Sequence, residues 1–202
     1  MFIKKSLFLK SFDFNNFPYS SKLPEILLIG RSNVGKSTFV NILTNKKKIC
    51  FVSKKPGKTI YLNYFLLNDV FYVIDSPGYG FSKRSKNKNI NVFSMINSFF
   101  KKKSFNKIVF QLMDFKVGPT FLDLQVYREL IKNKENSCVF IIFNKKDKVS
   151  NNQILNQKKK IDKKLLLLNF CFIPKYFLLS CKNKEGIENI INLIKSRISF
   201  IS

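Results

Sequence analysis

An α/β domain built on a mostly parallel sheet is what this chain predicts, and two observations carry the prediction. From Glu25 onward, short apolar runs alternate with amphipathic segments, the succession that stacks helices on a sheet. Between the first apolar run and the first amphipathic segment stands Gly30-Arg31-Ser32-Asn33-Val34-Gly35-Lys36-Ser37. A glycine-rich turn of this kind lets a strand pass into a helix around a phosphate group. At 202 residues, 45% of them hydrophobic, the chain can bury one good core and is short for two.

The elements follow in order. Residues 1–24 form a Phe-rich leader ending at Pro18 and Pro24, read as an N-terminal extension packing on a domain that spans 25–202. Residues 25–29 are an apolar strand, and 36–43 open the first helix. Strands at 59–67 and 70–75 are joined by Asn68-Asp69, a two-residue turn that makes them antiparallel. Buried strands follow at 107–113, 139–143 and 176–179, which brings the sheet to six. Helical patterns occupy 88–103, 120–133, 151–168 and 185–199. The last carries Ile187, Ile190, Ile191, Ile194 and Ile198 on one face, to lie against the sheet.

Composition excludes several kinds of chemistry. Histidine is absent and the four cysteines lack metal-ligand spacing, so zinc binding and His-based catalysis are not expected. Cys138 opens the apolar run 138–143 and reads as a small buried thiol, and reduced thiols suit the cytoplasm. Lys10 and Asp13 break the apolar N-terminal stretch too early for a signal peptide. No segment reaches the roughly 20 apolar residues of a transmembrane helix, so a soluble cytoplasmic protein is expected.

The net charge is +25, and only four of the 37 basic residues are arginine. Lysine, asparagine, isoleucine and phenylalanine are abundant and tryptophan is absent, as AT-rich codons would produce. The charge therefore permits an RNA partner without specifying one. The basic run 82–89 reads as a solvated loop or as a nucleotide-gated contact surface. Lys158-Lys159-Lys160 with Lys163-Lys164 reads as a solvated helix face.

The glycine-rich stretch fits G-x-x-x-x-G-K-[ST] in full. Gly30 and Gly35 let backbone N–H groups turn toward phosphate oxygens, Lys36 would reach the β and γ phosphates, and Ser37 would ligate Mg²⁺. Asp75 ends an apolar strand in Asp75-Ser76-Pro77-Gly78, where its carboxylate would hold the magnesium and the Gly78 N–H would approach the γ phosphate. Thr59, between these motifs in Lys55-Pro56-Gly57-Lys58-Thr59, would complete the magnesium shell only while the γ phosphate is present. In Asn144-Lys145-Lys146-Asp147, Asp147 can accept the N1 and exocyclic N–H bonds that guanine offers and adenine does not, Asn144 would brace neighbouring loops, and Lys145 would cover the base. Leu179-Ser180-Cys181 would turn backbone N–H groups toward the guanine O6. The ligand these motifs select is GTP or GDP with Mg²⁺. Tyr79 follows Gly78 and no glutamine is near to orient water, so a low intrinsic rate of GTP hydrolysis is expected.

These motifs, with Pro77-Gly78-Tyr79-Gly80, Leu62-Asn63-Tyr64-Phe65, Asp114, Gly118-Pro119 and Asp123-Leu124, resemble the EngB (YihA/YsxC-like) family of bacterial GTP-binding proteins across about residues 5–200. The resemblance implies a single P-loop GTPase (Ras-like G) domain of the TRAFAC class, with a mostly parallel six-stranded sheet and helices on both faces. It extends the nucleotide set through Ile60 and Tyr61, and implies a potassium ion held by Asn33, with Lys36 and Thr59, in hydrolysis. It also implies a monomer acting in assembly of the large ribosomal subunit, on a precursor of rRNA and ribosomal proteins, with a link to cell division and septation. A GTP-regulated protein-binding module at the division site is the second reading. The chain departs from the family pattern at Ile60, Ser76 and Asn144, where glutamine, leucine and threonine are usual.

Overall fold

The computed structural model describes residues 3–13, 22–46, 49, 61–80, 92–102, 106–133, 137–168 and 173–198. Among these, strands β1 (Ser6–Asp13), β2 (Glu25–Gly30), β3 (Tyr61–Leu67), β4 (Phe71–Asp75), β5 (Lys107–Asp114), β6 (Ser137–Asn144) and β7 (Tyr176–Leu178) form one sheet, in the order β1-β3-β4-β2-β5-β6-β7. The pairings β1–β3 and β3–β4 are antiparallel, and the rest are parallel. Five helices accompany the sheet: α1 (Lys36–Leu43), α2 (Val92–Lys101), α3 (Phe121–Lys132), α4 (Ile154–Leu166) and α5 (Ile187–Ile198).

Alternation along the strands sorts the core. Ile26 and Leu28 point to one face and pack with Phe39 and Val40 of α1 and Ile190 and Ile194 of α5. Leu27 and Ile29 point to the other and meet Met95, Ile96 and Phe99 of α2 and Val126 and Leu130 of α3. Farther along that second face, Met113, Ile141 and Phe143 are covered by Ile161 and Leu165 of α4. Strand β5 is buried at every position, as a central strand covered on both sides must be. Each aliphatic side chain fully buried this way contributes about 1.5–3 kcal/mol.

The predicted six-stranded sheet gains a seventh strand from the leader. Ser6–Asp13 pairs with β3, with a register shift between Phe8 and Lys10, and Phe8 stacks against Phe65 at 5.4 Å. Three consecutive apolar residues, Leu7-Phe8-Leu9, hide the period of two by which a strand is recognised. The β3–β4 turn anchors this strand. Asn68 and Asp69 both have positive φ (51° and 58°), as a tight hairpin turn demands, and the Asn68 Oδ1 accepts the backbone N–H groups of Lys4 and Lys5 at 2.8 and 3.0 Å.

Cys138 is half-buried rather than a core thiol, because the first half of β6 is less covered than Ile141–Asn144. Cys181 is the buried cysteine. No helix among the described residues is long and apolar enough to cross a membrane.

Candidate nucleotide site

The C-terminal ends of β2, β4, β5 and β6 lie side by side, so the loops that leave them converge on one sheet edge. The first runs from Gly30 to Lys36. Asn33 and Gly35 adopt positive φ (62° and 106°), which folds the backbone back on itself before α1. A Cβ on Gly30 would stand 2.4 Å from the Leu112 carbonyl oxygen, so the loop lies flush on β5. Helix α1 begins with no capping side chain and no acidic residue in its first turn, which leaves its N-terminal N–H groups and dipole for an anion.

The two charged groups of the triphosphate end sit together. Lys36 Nζ donates to the carbonyls of Gly30 (2.9 Å) and Arg31 (3.2 Å). Burial lowers its pKa to about 8, against the pull of Asp75. Ser37 Oγ donates to Asp75 Oδ2 at 2.6 Å, while Asp75 Oδ1 is buried with no hydrogen-bond partner. Burial pushes the Asp75 carboxyl upward, opposed by the Lys36 charge and the Ser37 hydrogen bond. A hydroxyl in contact with a carboxylate that keeps a spare buried oxygen is a donor pair suited to a hard divalent cation such as Mg²⁺.

The segment after β4 crosses the phosphate loop. Ser76 is turned inward, its N–H and Oγ both on the Leu28 carbonyl, and Pro77 is buried. Gly78 passes so near Ser32 that a Cβ there would be 2.6 Å from the Ser32 Cα. Tyr79 and Arg31 then form a parallel bridge: the Tyr79 N–H donates to the Gly30 carbonyl, and the Ser32 N–H to the Tyr79 carbonyl.

Below that bridge lies a buried polar network. Tyr79 OH donates to Asp123 Oδ1 at 2.8 Å and accepts from Gln111 Nε2 at 3.1 Å. Arg31 Nε stands 3.2 Å from Asp123 Oδ2, at ion-pair distance but without hydrogen-bond alignment. Asp123 is fully buried and closes a capping box on α3, accepting the Thr120 N–H and hydroxyl while its own N–H goes to Thr120 Oγ1. The sequence reading did not assign this role to Asp123 or Gln111. The Thr-x-x-Asp spacing before α3 was the available signal for Asp123, whereas nothing in β5 marks Gln111 apart from its being polar within an apolar run.

The third group of residues lies at the ends of β6 and β7. Asn144 Nδ2 donates to the Val34 carbonyl at 2.9 Å, and its Oδ1 accepts the Cys181 N–H at 3.0 Å, so one amide holds the phosphate loop and the 180–181 turn. Lys145 takes positive φ (65°), and its Nζ pairs with Asp114 Oδ2 at 2.8 Å. Asp147 is exposed, with its Oδ1 accepting the Ser180 hydroxyl at 2.6 Å. Lys146 pairs with Glu185, and its N–H donates to the Leu179 carbonyl. Burial pushes the Cys181 thiol up to about 12, the Asn144 bond opposing and the Asp147 charge adding. Native protein treated with iodoacetamide at pH 8 should therefore show Cys181 unmodified by mass spectrometry over a time that labels it fully in urea. Labelling should rise about tenfold per pH unit above pH 8 without levelling off, since the thiolate is the nucleophile.

Of the residues singled out from the sequence, Gly57, Lys58, Thr59 and Ile60 lie outside the described residues. Tyr61 begins β3 and is 48% exposed, two residues before Asn63, the partner of Asp75. The remaining members form two neighbouring clusters that share Val34 and Asn144: one at Gly30–Ser37 with Asp75–Gly78, the other at Asn144–Asp147 with Leu179–Cys181.

A phosphate loop between strand and helix, an Asp-x-x-Gly segment laid across it and an Asn-Lys-x-Asp loop at the same sheet edge define a P-loop GTPase domain. A family model described as "50S ribosome-binding GTPase" matches residues 25–145. A probable GTP-binding protein EngB of Acholeplasma laidlawii is 41% identical over 166 residues, covering 82% of this chain and 83% of that protein. One from Fusobacterium nucleatum is 36% identical over 200 residues, covering 98% and 100%. Among solved structures, Aquifex aeolicus Era bound to GDP and aluminium fluoride superposes with a TM-score of 0.65 at 22% identity, over 88% of this chain and 57% of Era. The chain belongs to the EngB family of GTP-binding proteins.

Proposed function

We propose that the chain is a magnesium-dependent GTP switch with slow intrinsic hydrolysis that acts in assembly of the large ribosomal subunit, with the family's link to cell division and septation following from that role. The observation that supports it most is the Ser37–Asp75 contact beside Lys36, on a loop tied through Asn144 to the guanine-recognition turn. The matching family model is named for 50S ribosome binding, which supports a large-subunit partner.

In this reading Ser37, Asp75 and Thr59 hold Mg²⁺, which supplies charge neutralisation on the β and γ phosphates when bound. Lys36 exchanges its loop carbonyls for phosphate oxygens, and the Gly78 N–H reports the γ phosphate. Asp147 reads the guanine edge, with Ser180 holding its carboxylate in place. Tyr79 is bound into the Asp123 network and cannot orient water, which supports a slow intrinsic rate. Asn33, at the turn of the phosphate loop with positive φ, is the candidate potassium ligand.

The test is sedimentation with large-subunit particles, in GDP and in a non-hydrolysable GTP analogue. Nucleotide-dependent co-migration is expected. Lys36→Ala should abolish it through lost triphosphate affinity, and Asp147→Asn should remove its dependence on a guanine nucleotide. A protein that ignored the particles in both states would have no such role. The outcome would then favour a GTP-regulated protein contact.

A further inference from the structure

On the flank of the domain, behind the loop that carries Asn144–Asp147, a cavity of about 470 Å³ opens between α4 and residues 116–118. Four ammonium groups line it: Lys116 from the loop after β5, and Lys160, Lys163 and Lys164 from α4. No carboxylate lines it. The one acidic residue of α4, Asp162, accepts the Tyr176 hydroxyl at 2.9 Å. Among the described interactions Lys116, Lys160 and Lys163 have no side-chain partner, while Lys164 Nζ donates to the Pro119 carbonyl at 3.3 Å. Val117 and Leu167, 52% and 62% exposed, give the lining its accessible apolar surface, and Ile161 beneath them is fully buried.

The walls are fixed before any ligand arrives. Gln157 donates to the carbonyls of Phe115 (2.6 Å) and Lys116 (3.1 Å), and Lys164 holds Pro119, so α4 grips the loop at both ends. The loop is also tied to the nucleotide site. Asp114 Oδ2 holds Lys145, and its Oδ1 accepts the N–H groups of Lys116 and Val117 at 3.0 and 3.3 Å. Phe121, two residues past Pro119 and outside the cavity lining, opens α3 and is 73% exposed.

Uncompensated cations at helical spacing, an apolar floor and an exposed aromatic ring together fit one kind of ligand. Phosphates meet the ammoniums, and base faces meet the apolar surface and the ring. Inorganic phosphate would leave the floor unused. An acidic peptide joins a charge to a flat face only where its sequence happens to alternate the two, whereas every nucleotide of a single strand carries both. We propose that this α4 pocket binds single-stranded RNA. The proposal deepens the ribosomal reading given under Proposed function and rests on it for the source of the RNA. Lys159, Lys160, Lys163 and Lys164 of α4 are exposed, as the sequence reads, and the proposal gives that solvated face a ligand.

The test uses the full GDP-loaded chain and a fluorescein-labelled mixed-sequence 12-nucleotide RNA, with anisotropy measured across a range of salt. The triple variant Lys116→Gln/Lys160→Gln/Lys163→Gln should bind at least about tenfold more weakly at low salt. Its slope of log K against log salt should fall by about 2, the value for three lost single-strand phosphate contacts. A control triple on exposed lysines elsewhere, Lys4→Gln/Lys22→Gln/Lys101→Gln, should keep the parent slope. Phe121→Ala should cost at least about fivefold, the low end for one stacked base. GDP affinity and urea midpoint matching the parent would show that each variant folds. Equal loss of slope in both triples would mean diffuse charge and would overturn the pocket. Polyglutamate competing as well as RNA, with no effect of Phe121→Ala, would overturn the RNA assignment. Particle co-sedimentation and RNA slope both unchanged in the pocket triple would remove the pocket and leave the ribosomal reading standing. A parent chain that ignored particles yet showed the pocket-dependent slope would support the pocket and remove the ribosomal source.

Discussion

Replacing Asp123 with alanine should lower the unfolding free energy by about 3–5 kcal/mol, the usual cost of removing one partner from a buried ionic network. Three donors lose their acceptor at once, the Tyr79 hydroxyl and the N–H and hydroxyl of Thr120, and the Arg31 guanidinium loses its counter-charge. Asp123 and Tyr79 are buried, so the Tyr79 hydroxyl gains nothing from solvent, while the partly exposed Arg31 and Thr120 are only partly compensated. Urea unfolding followed by circular dichroism measures the loss. Tyr79→Phe removes one bond to Asp123 and the Gln111 bond to the same hydroxyl, leaves the rest of the network in place, and should cost about 1–3 kcal/mol. The double variant should lose much less than the sum of the two, because both changes break the same bond. A fully additive pair would show that Tyr79 and Asp123 do not share a network in solution.

Gly35→Ala should reduce guanine-nucleotide affinity by about a hundredfold or more while leaving much of the fold intact. Two costs add. Gly35 has φ +106°, where an L-residue pays about 1–2 kcal/mol. The new methyl would also stand 2.3 Å from Asn144 Nδ2, forcing that amide off the Val34 carbonyl. Losing a buried hydrogen bond with its desolvation costs about 1–3 kcal/mol more. A free loop relaxes away from this strain and must take it up again on binding, so at 1.4 kcal/mol per tenfold the sum of about 2–5 kcal/mol is about 300-fold at its midpoint. Both ends of the nucleotide should be affected, because the displaced amide also holds the Cys181 N–H. Calorimetric titration with GDP and with GTP checks this. Unchanged affinity for either would show that the loop tolerates the methyl by shifting as a unit.

The sequence made the site legible because its residues must keep fixed spacing within short loops. Gly30–Ser37, Asp75–Gly78 and Asn144–Asp147 each sit inside one strand-end turn, so a linear pattern captures them. The apolar face of α5 and the hairpin at Asn68-Asp69 were legible for the same local reason, and the structure gives both. Contacts between distant segments were not legible. No local pattern says that Gln111, Tyr79 and Asp123 meet, since their separations of 32 and 44 residues are closed only by the fold. The leader strand was not legible for a related reason: β1 is an edge strand with a register shift, and its partners on β3 lie about fifty to sixty residues on.

That leader strand bears on how the chain stays in solution. Tyr61-Leu62-Asn63-Tyr64-Phe65-Leu66-Leu67 is uncharged, aromatic and free of proline and glycine, the kind of segment that recruits copies of itself when its edge is open. With β1 in place, the chain's own first residues occupy that edge, and the new outer strand carries Lys10 and an irregular register that a flat partner cannot follow. The occupant is made before β3 during synthesis and can pair only once β3 exists. Until it pairs, β3 stands uncovered, and the interval between making residues 61–67 and seating residues 6–13 is when this chain is most exposed to self-association.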